Sequence, residues 1–285
     1  MAGDPSAFGS VALGLASAAS WGAGDFSGGL ASRRAPATGV VVVSQGVGIV
    51  LLVALAAMTR EARPTGPDIL WAALAGANGA LGLLALYSAL ASGRMGIAAP
   101  VSGVVGAVVP VLVGASLHGW PGALRLAGFA LALTGVWLLT AAGGGAVRAG
   151  PRELGLPLLA GVSFGLFFVF IHRAGGSGGV LWPLTAARAT SMGLLASIGG
   201  AMGSLRLPRG PALGLTCLAG VLDTGGNAFF VLAAQAGRLD VASVLSSLYP
   251  ASTVALACWL LGERLTGRQA AGAVVTLAAI ACISW

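Results

Sequence analysis

The sequence predicts an all-α integral membrane protein: ten transmembrane helices forming two inverted five-helix repeats. Three observations carry that reading. Charge is scarce, apolar stretches reach membrane-spanning length, and the two halves resemble each other at a nearly constant offset. Of 285 residues, 57% are hydrophobic and 8% charged, whereas a soluble domain carries about 25% charged residues. Most of the chain therefore never meets water.

Charged positions mark where the spans end. None falls between Arg34 and Arg60, between Asp68 and Arg94, or within 95–124, 126–147, 154–172, 241–262 and 269–285. A helix crosses the hydrocarbon core with about 20 residues, so each stretch suffices or nearly does. Three further apolar segments each hold one internal charge, Asp25, Arg188 and Asp223. The expected spans are 7–30, 37–58, 69–92, 96–117, 123–142, 154–172, 180–203, 210–235, 241–261 and 267–284. Strand barrels alternate over segments of about ten residues, which these continuous runs exclude. Backbone polar groups must then be satisfied inside helices.

The N-terminus MAGDPSAFGS lacks the basic n-region of a signal peptide, so the first helix is expected to be retained. Cys217, Cys258 and Cys282 fall within predicted helices and no CxxC spacing occurs. Neither a metal nor a cofactor is expected. The net charge of +7 comes from fifteen arginines, fourteen of them single or paired at loops. A nucleic-acid partner would call for a clustered basic face. Loop arginines anchoring helices against lipid headgroups account for the charge instead.

An offset of 143 places Ser20-Trp21-Gly22 on Ser163-Phe164-Gly165, Gln45 on Arg188 and Arg63 on Arg206. An offset of 144 places Gly93-Arg94 on Gly237-Arg238, Ala98 on Ala242, Ser102 on Ser246 and Gly128 on Gly272. The repeats are read as 1–147 and 148–285, with five spans each. Five is odd, so the second copy enters the membrane from the opposite side. Inverted repeats about an in-plane axis are a common transporter plan, with the substrate near the midplane at the repeat interface.

Gly76, Gly79 and Gly82 in the third span, Gly103 and Gly106 in the fourth, and Gly199 with Gly203 in the seventh fall on helical faces. Such small residues let helix backbones approach closely in lipid. Pro100, Pro110 and Pro250 lie inside spans four and nine, where a kink or unwound turn can line a cavity.

Ionisable residues at membrane depth are costly and default to functional candidates. Asp223 lies mid-span with Asn227 four residues on, so both share one helix face. Arg188 sits a third of the way along its span, and Asp25 lies in the last third of the first, one turn after Trp21. Arg188 either pairs with Asp223 or Asp25 to neutralise a buried charge, or holds a substrate carboxylate or phosphate while a carboxylate binds an amine or proton. Asp25, nearer one surface, is the better candidate for a solvated vestibule. Asn78, Tyr87, Gln45 and Tyr249 are uncharged candidates for cavity lining, each equally suited to an ordinary interhelical hydrogen bond. Trp71, Trp120, Trp182, Trp259 and Trp285 fall near span ends, as an aromatic belt requires. Trp21 and Trp137 fall deeper, and Trp21 is the better cavity candidate, with Phe164 at its repeat-related position.

The chain resembles the drug/metabolite transporter superfamily, EamA type with ten helices. The resemblance rests on SWGAGDF in the first helix, Arg188, and an ending carried by Pro250, Gly262, Glu263, Thr266, Gln269 and Gly272. In the first half Gly119 replaces the acidic residue of that ending, and Gln45 stands where Arg188 stands in the second. Glu263 therefore reads as an interfacial loop or helix-cap residue. The resemblance implies a multi-pass transporter of the cytoplasmic membrane, exporting an amino acid-like metabolite or a drug. It also implies cytoplasmic termini, whereas the loops on the termini's side carry five arginines against nine opposite, which points the other way.

The expected function is alternating-access export of a small molecule through a cavity among spans 1, 3, 6, 8 and 9, with proton coupling through Asp25 or Asp223. Lipid and the small-molecule substrate are the expected partners, and the oligomeric state is left open. The alternatives are a channel, a non-transporting membrane subunit, or a lipid-modifying membrane enzyme. The last is the weakest, because the only histidines, His118 and His172, stand far apart and no HExxH occurs.

Overall fold

A helix in lipid must satisfy its own backbone and gains little from burying apolar side chains, so this fold is organised by where its helices can approach closely. The computed structural model describes residues 5–91, 95–140, 151–176, 179–261 and 266–284. Arg94, Gly262, Glu263, Trp285 and the 147/148 repeat boundary lie outside the described residues. The first repeat comprises α1 (Pro5–Ser32), α2 (Ala37–Thr59), α3 (Gly66–Ala91), α4 (Met95–His118) and α5 (Ala123–Thr140). The second comprises α6 (Pro151–Ala174), α7 (Leu181–Ala201), α8 (Pro211–Ala236), α9 (Leu239–Ser246), α10 (Tyr249–Leu261) and α11 (Gly267–Ser284). No strand occurs among the described residues.

Each expected span has a helix at its place, and one span departs from a single rod. The ninth is α9 and α10, separated by a turn at Ser247 and Leu248. Pro250 has no N–H to return to the Ser246 carbonyl, so the helical ladder stops one turn before it. The amide of Ala251 reaches back only three residues, to the Leu248 carbonyl at 2.8 Å. Pro110, by contrast, sits inside α4, which continues through it.

Ala37–Thr59, Gly66–Ala89, Leu154–Ala174 and Pro211–Ala236 are each long and apolar enough to cross a membrane by length and composition. Apolar side chains such as Val50, Met58, Leu70, Leu112, Val274 and Leu277 are exposed on the outside of the bundle, where lipid is their natural solvent. Trp120 and Trp259 are exposed near helix ends, as interfacial anchors are. Trp137, expected to lie deeper, is exposed in the last turn of α5. Position along the span did not reveal which face it presents.

Equivalent helices of the two repeats run antiparallel, as inversion requires. Gly39 and Gly48 of α2 abut Arg206 and Arg188 in turn, and Gly128 and Gly135 of α5 abut Ile283 and Thr276 of α11. The close approaches also come in symmetric pairs. A Cβ on Gly76 would strike the Ala187 carbonyl, and one on Gly220 would strike that of Ser44. Gly220 is Gly76 displaced by 144, and Ala187 is Ser44 displaced by 143. The single-residue slip between repeats therefore falls between Arg206 and Gly220. Gly203 is a correction. It lies beyond the end of α7 with φ +62°, and an added Cβ would meet nothing within 4 Å, so it serves the turn and not a helix face.

Antiparallel α1 and α8 are stitched by serines. The hydroxyls of Ser10, Ser17 and Ser20 donate to the carbonyls of Ala233, Gly226 and Leu222 at 2.9, 2.9 and 2.7 Å. On the face where the α2–α3, α4–α5, α6–α7 and α8–α9 loops meet, polar groups tie the loops together. The Glu61 carboxylate accepts from the amides of Val180, Leu181 and Trp182 at the start of α7, at 2.9–3.2 Å. It satisfies orphan donors and opposes the positive end of the helix dipole. Arg238 pairs with buried Asp240 at 2.7 Å and donates to the Gly119 carbonyl at 3.0 Å. The hydrogen bonds to Asp240 hold the Arg238 guanidinium above its ordinary range. Thr266 and Gln269, noted above as sequence motif residues, form a capping box at α11: the Thr266 amide donates to Gln269 Oε1 at 2.9 Å, and the Gln269 amide to Thr266 Oγ1 at 3.3 Å.

Gly76→Ala is expected to destabilise the fold by about 1–3 kcal/mol, the usual cost of overpacking. Gly214→Ala, which meets nothing within 4 Å, is expected to leave it unchanged or slightly better. Thermal unfolding in detergent checks both. Glu61→Ala is expected to cost about 1–2 kcal/mol, as loss of an N-terminal cap does, read by the same assay.

Candidate functional site

A cavity with about 650 Å³ of empty space, its mouth included, lies in the middle of the bundle. Helices α1, α2, α3, α6, α7, α8 and the first residue of α10 line it. The second and seventh spans thus join the five expected around it. The reason is the glycine contacts, which bring α2 onto α7 and α8, and α3 onto α7.

Arg188 is the centre of its polar side. Only 3% exposed, it donates from Nη2 to Asp223 Oδ2 at 2.6 Å and from Nη1 to Gln45 Oε1 at 2.7 Å. Gln45 and Arg188 are repeat-equivalent, 143 residues apart, so this hydrogen bond crosses the pseudo-twofold axis. The long side chain fits because α2 has a glycine there: a Cβ on Gly48 would lie 2.8 Å from Arg188 Nη1. Asn227 adds a weaker donor to Asp223 Oδ2, at 3.5 Å. The arginine is thus paired with a half-buried carboxylate, and Asp223, not Asp25, is its partner.

Three polar groups in the lining remain unused. Arg188 Nε and Ser191 Oγ are buried with no hydrogen-bond partner among the described residues. Asp25 makes no hydrogen bond or ion pair among the described residues. Ser191 follows Arg188 by three residues and so shares its helix face. That spacing was visible in LTAARATSMG, but a lone serine in an apolar helix carries no charge to draw notice.

The lining is also aromatic. Trp21 stacks on Phe168 and Phe230 with centroids 5.5 and 5.9 Å apart, and Phe168 meets Phe230 at 4.7 Å. Trp21 packs over Gly226, where a Cβ would collide with the indole, and Phe164 packs over Gly82 in the same way. These two contacts are again repeat mates, since Gly226 is Gly82 displaced by 144. Tyr249, placed by the break in the ninth span, shares a hydrogen bond of 3.0 Å with Ser102.

Of the residues singled out above, Trp21, Asp25, Gln45, Phe164, Arg188, Asp223, Asn227 and Tyr249 line the cavity. Asn78 and Tyr87 do not. Asn78 donates to the Leu74 carbonyl of its own helix at 2.9 Å, and buried Tyr87 points its hydroxyl at Gly28. The sequence reading missed Phe167, Phe168 and Ser191, and Gly76 and Gly79, read there as packing glycines, line the cavity as well. Phe168 stands at the position equivalent to Asp25, so the repeat offset could have found it.

A model of the EamA-like transporter family matches residues 9–141 and again 153–285. A solved structure, described only as a crystal structure of a protein, is similar over 96% of this chain and 97% of its own, with 18% identity and a TM-score of 0.76. A search of curated proteins found no match. The chain belongs to the EamA-like transporter family, built here as two repeats of one helical unit.

Arg188→Met is expected to leave the half-buried Asp223 without its counter-charge and to cost up to about 3 kcal/mol. Arg188→Met combined with Asp223→Leu is expected to recover most of that loss. Chemical denaturation of the single and double variants measures the coupling. A double variant no better than the single would show that Arg188 supports the fold by some other contact.

Proposed function

We propose that this protein moves a small amino acid-like metabolite or a drug across the cytoplasmic membrane by alternating access, in the direction of export. The observation that carries the reading is the cavity on the pseudo-twofold axis, crossed by the Arg188–Gln45 hydrogen bond between equivalent helices. A carrier needs one site reached from each side in turn, and an in-plane twofold supplies two related closures around one fixed point.

Closure in this structure is supported on the face bearing the Glu61 cap, the Arg238–Gly119 contact and the Gln235 Nε2 donation to the Gly175 carbonyl at 3.1 Å. Under the cavity on the same side lies the Trp21–Phe168–Phe230 stack. Opening that face requires these loop contacts to break together while α1 and α8 part from α6. The turn between α9 and α10 offers a hinge beside the cavity, since Pro250 has no N–H to donate and the amides of Leu248 and Ala251 reach back only three residues there.

Export is coupled to protons through Asp25 in this reading. Asp223 is held by Arg188, whereas Asp25 has no protein partner among the described residues and so can exchange a proton for substrate without first breaking an ion pair. In proteoliposomes, saturable uptake of a radiolabelled panel of amino acids and organic cations is expected, stimulated by a pH gradient. Asp25→Asn is expected to abolish the stimulation, and Asp223→Asn to reduce flux through loss of the Arg188 contact. Full gradient-driven flux in both variants would rule the coupling out, and non-saturable conductance would favour a channel.

A further inference from the structure

We infer that the cavity selects a net monocation that carries a neutral hydrogen-bond acceptor beside its amine, such as an amino amide or amino ester, in preference to a zwitterionic amino acid. This deepens the transport reading and rests on it. Three features of the lining point the same way.

Its charges do not cancel. Asp25 and Asp223 face one guanidinium, so one carboxyl group of the lining has no cationic partner unless a ligand supplies one. Arg188 already has a carboxylate partner, Asp223 at 2.6 Å, and also donates to Gln45 from Nη1. A ligand carboxylate beside it would be a second anion competing for a cation already paired, in surroundings of low dielectric where like charges repel strongly.

The unused donors are nevertheless real. Arg188 Nε and Ser191 Oγ belong to residues 3% and 2% exposed, and neither has a partner among the described residues. Buried donors left unpaired are costly, and both belong to side chains that line the cavity from one face of α7, where a ligand acceptor would meet them. A neutral carbonyl satisfies them without adding charge. Asp25 completes the set as the counter-ion of the ammonium.

The remaining wall suits a flat apolar body next to a cation. Trp21 and Phe164 present aromatic rings to the cavity from repeat-related positions, and aromatic faces attract cations as well as apolar groups.

The test uses the purified full-length protein and three ligands with one common body: L-phenylalaninamide, L-phenylalanine and N-acetyl-L-phenylalaninamide. Binding is measured calorimetrically at about pH 6, where the α-amino group is protonated. The cationic amide is expected to bind at least about tenfold more tightly than the zwitterion and than the neutral compound. Asp25→Asn should bring the amide down to the level of the neutral compound, while Asp25→Glu should preserve the preference. Ser191→Ala should weaken the amide by roughly fivefold and leave the order of the three ligands unchanged. Equal or tighter binding of phenylalanine overturns the inference, as does failure of all three to bind. Saturable flux of a zwitterion in proteoliposomes would then leave the carrier reading standing. The ligand order in the unmodified protein decides the matter even where a variant fails to fold.

Discussion

An arginine buried at membrane depth must be compensated, and in this protein everything central is arranged around that requirement. Arg188 reaches Asp223 on α8 and Gln45 on α2, so α2, α7 and α8 are held in one register by a single guanidinium. A glycine at position 48 gives that side chain its room, and glycines at 76 and 220 bring the flanking backbones together. Charge compensation and close approach are thus one constraint seen twice. The arginine can be buried only because the helices come close, and their positions are specific because the arginine must be met.

The inverted repeat is symmetric in packing and asymmetric in chemistry. Two of the glycine contacts recur in both copies at equivalent positions, displaced by 143 or 144 residues. The polar residues do not recur: Asp25 corresponds to Phe168, Arg188 to Gln45, and Asp223 to Gly79. Two copies of one scaffold therefore build a cavity whose charged residues have no charged counterparts across the axis. A symmetric lining would present the same chemistry twice and would place like charges opposite one another. Divergence at the axis is what lets a bound molecule have a defined orientation.

The same division explains what binds the helices. Between helices in lipid, burial of apolar area is a weak force, and packing with a few hydrogen bonds replaces it. Ser10, Ser17 and Ser20 provide such bonds along α1 and α8, each to a backbone carbonyl and none to a side chain. Contacts of that kind tolerate sliding and re-pairing better than interlocked large side chains would. On one face Glu61 and Arg238 add stronger, charge-assisted ties, so that face is held by a few discrete interactions.

Much of this is legible in the residues alone. Charge exclusion from lipid sets where spans begin and end, because every charged residue inside the hydrocarbon is expensive. The odd helix number per repeat, with a constant offset, then dictates inversion. Asp25, Arg188 and Asp223 stand out as candidates for the same reason, since a charge in an apolar run announces itself. Their pairing does not. Asp223 and Asp25 are equivalent partners for Arg188 on sequence grounds, and the choice depends on which helices lie adjacent and on a missing Cβ at Gly48. Tyr87 and Asn78 look like cavity residues for being polar, yet the turn of the helix sends both elsewhere. Ser191 and Phe168 escape notice for the converse reason, being ordinary residues made significant by their neighbours. The sequence by itself determined the spans, the inversion and the set of buried charges, because lipid acts on each residue separately. Only the tertiary structure decided which charges meet and which stay unpaired, because that depends on the relative positions of helices far apart in the chain.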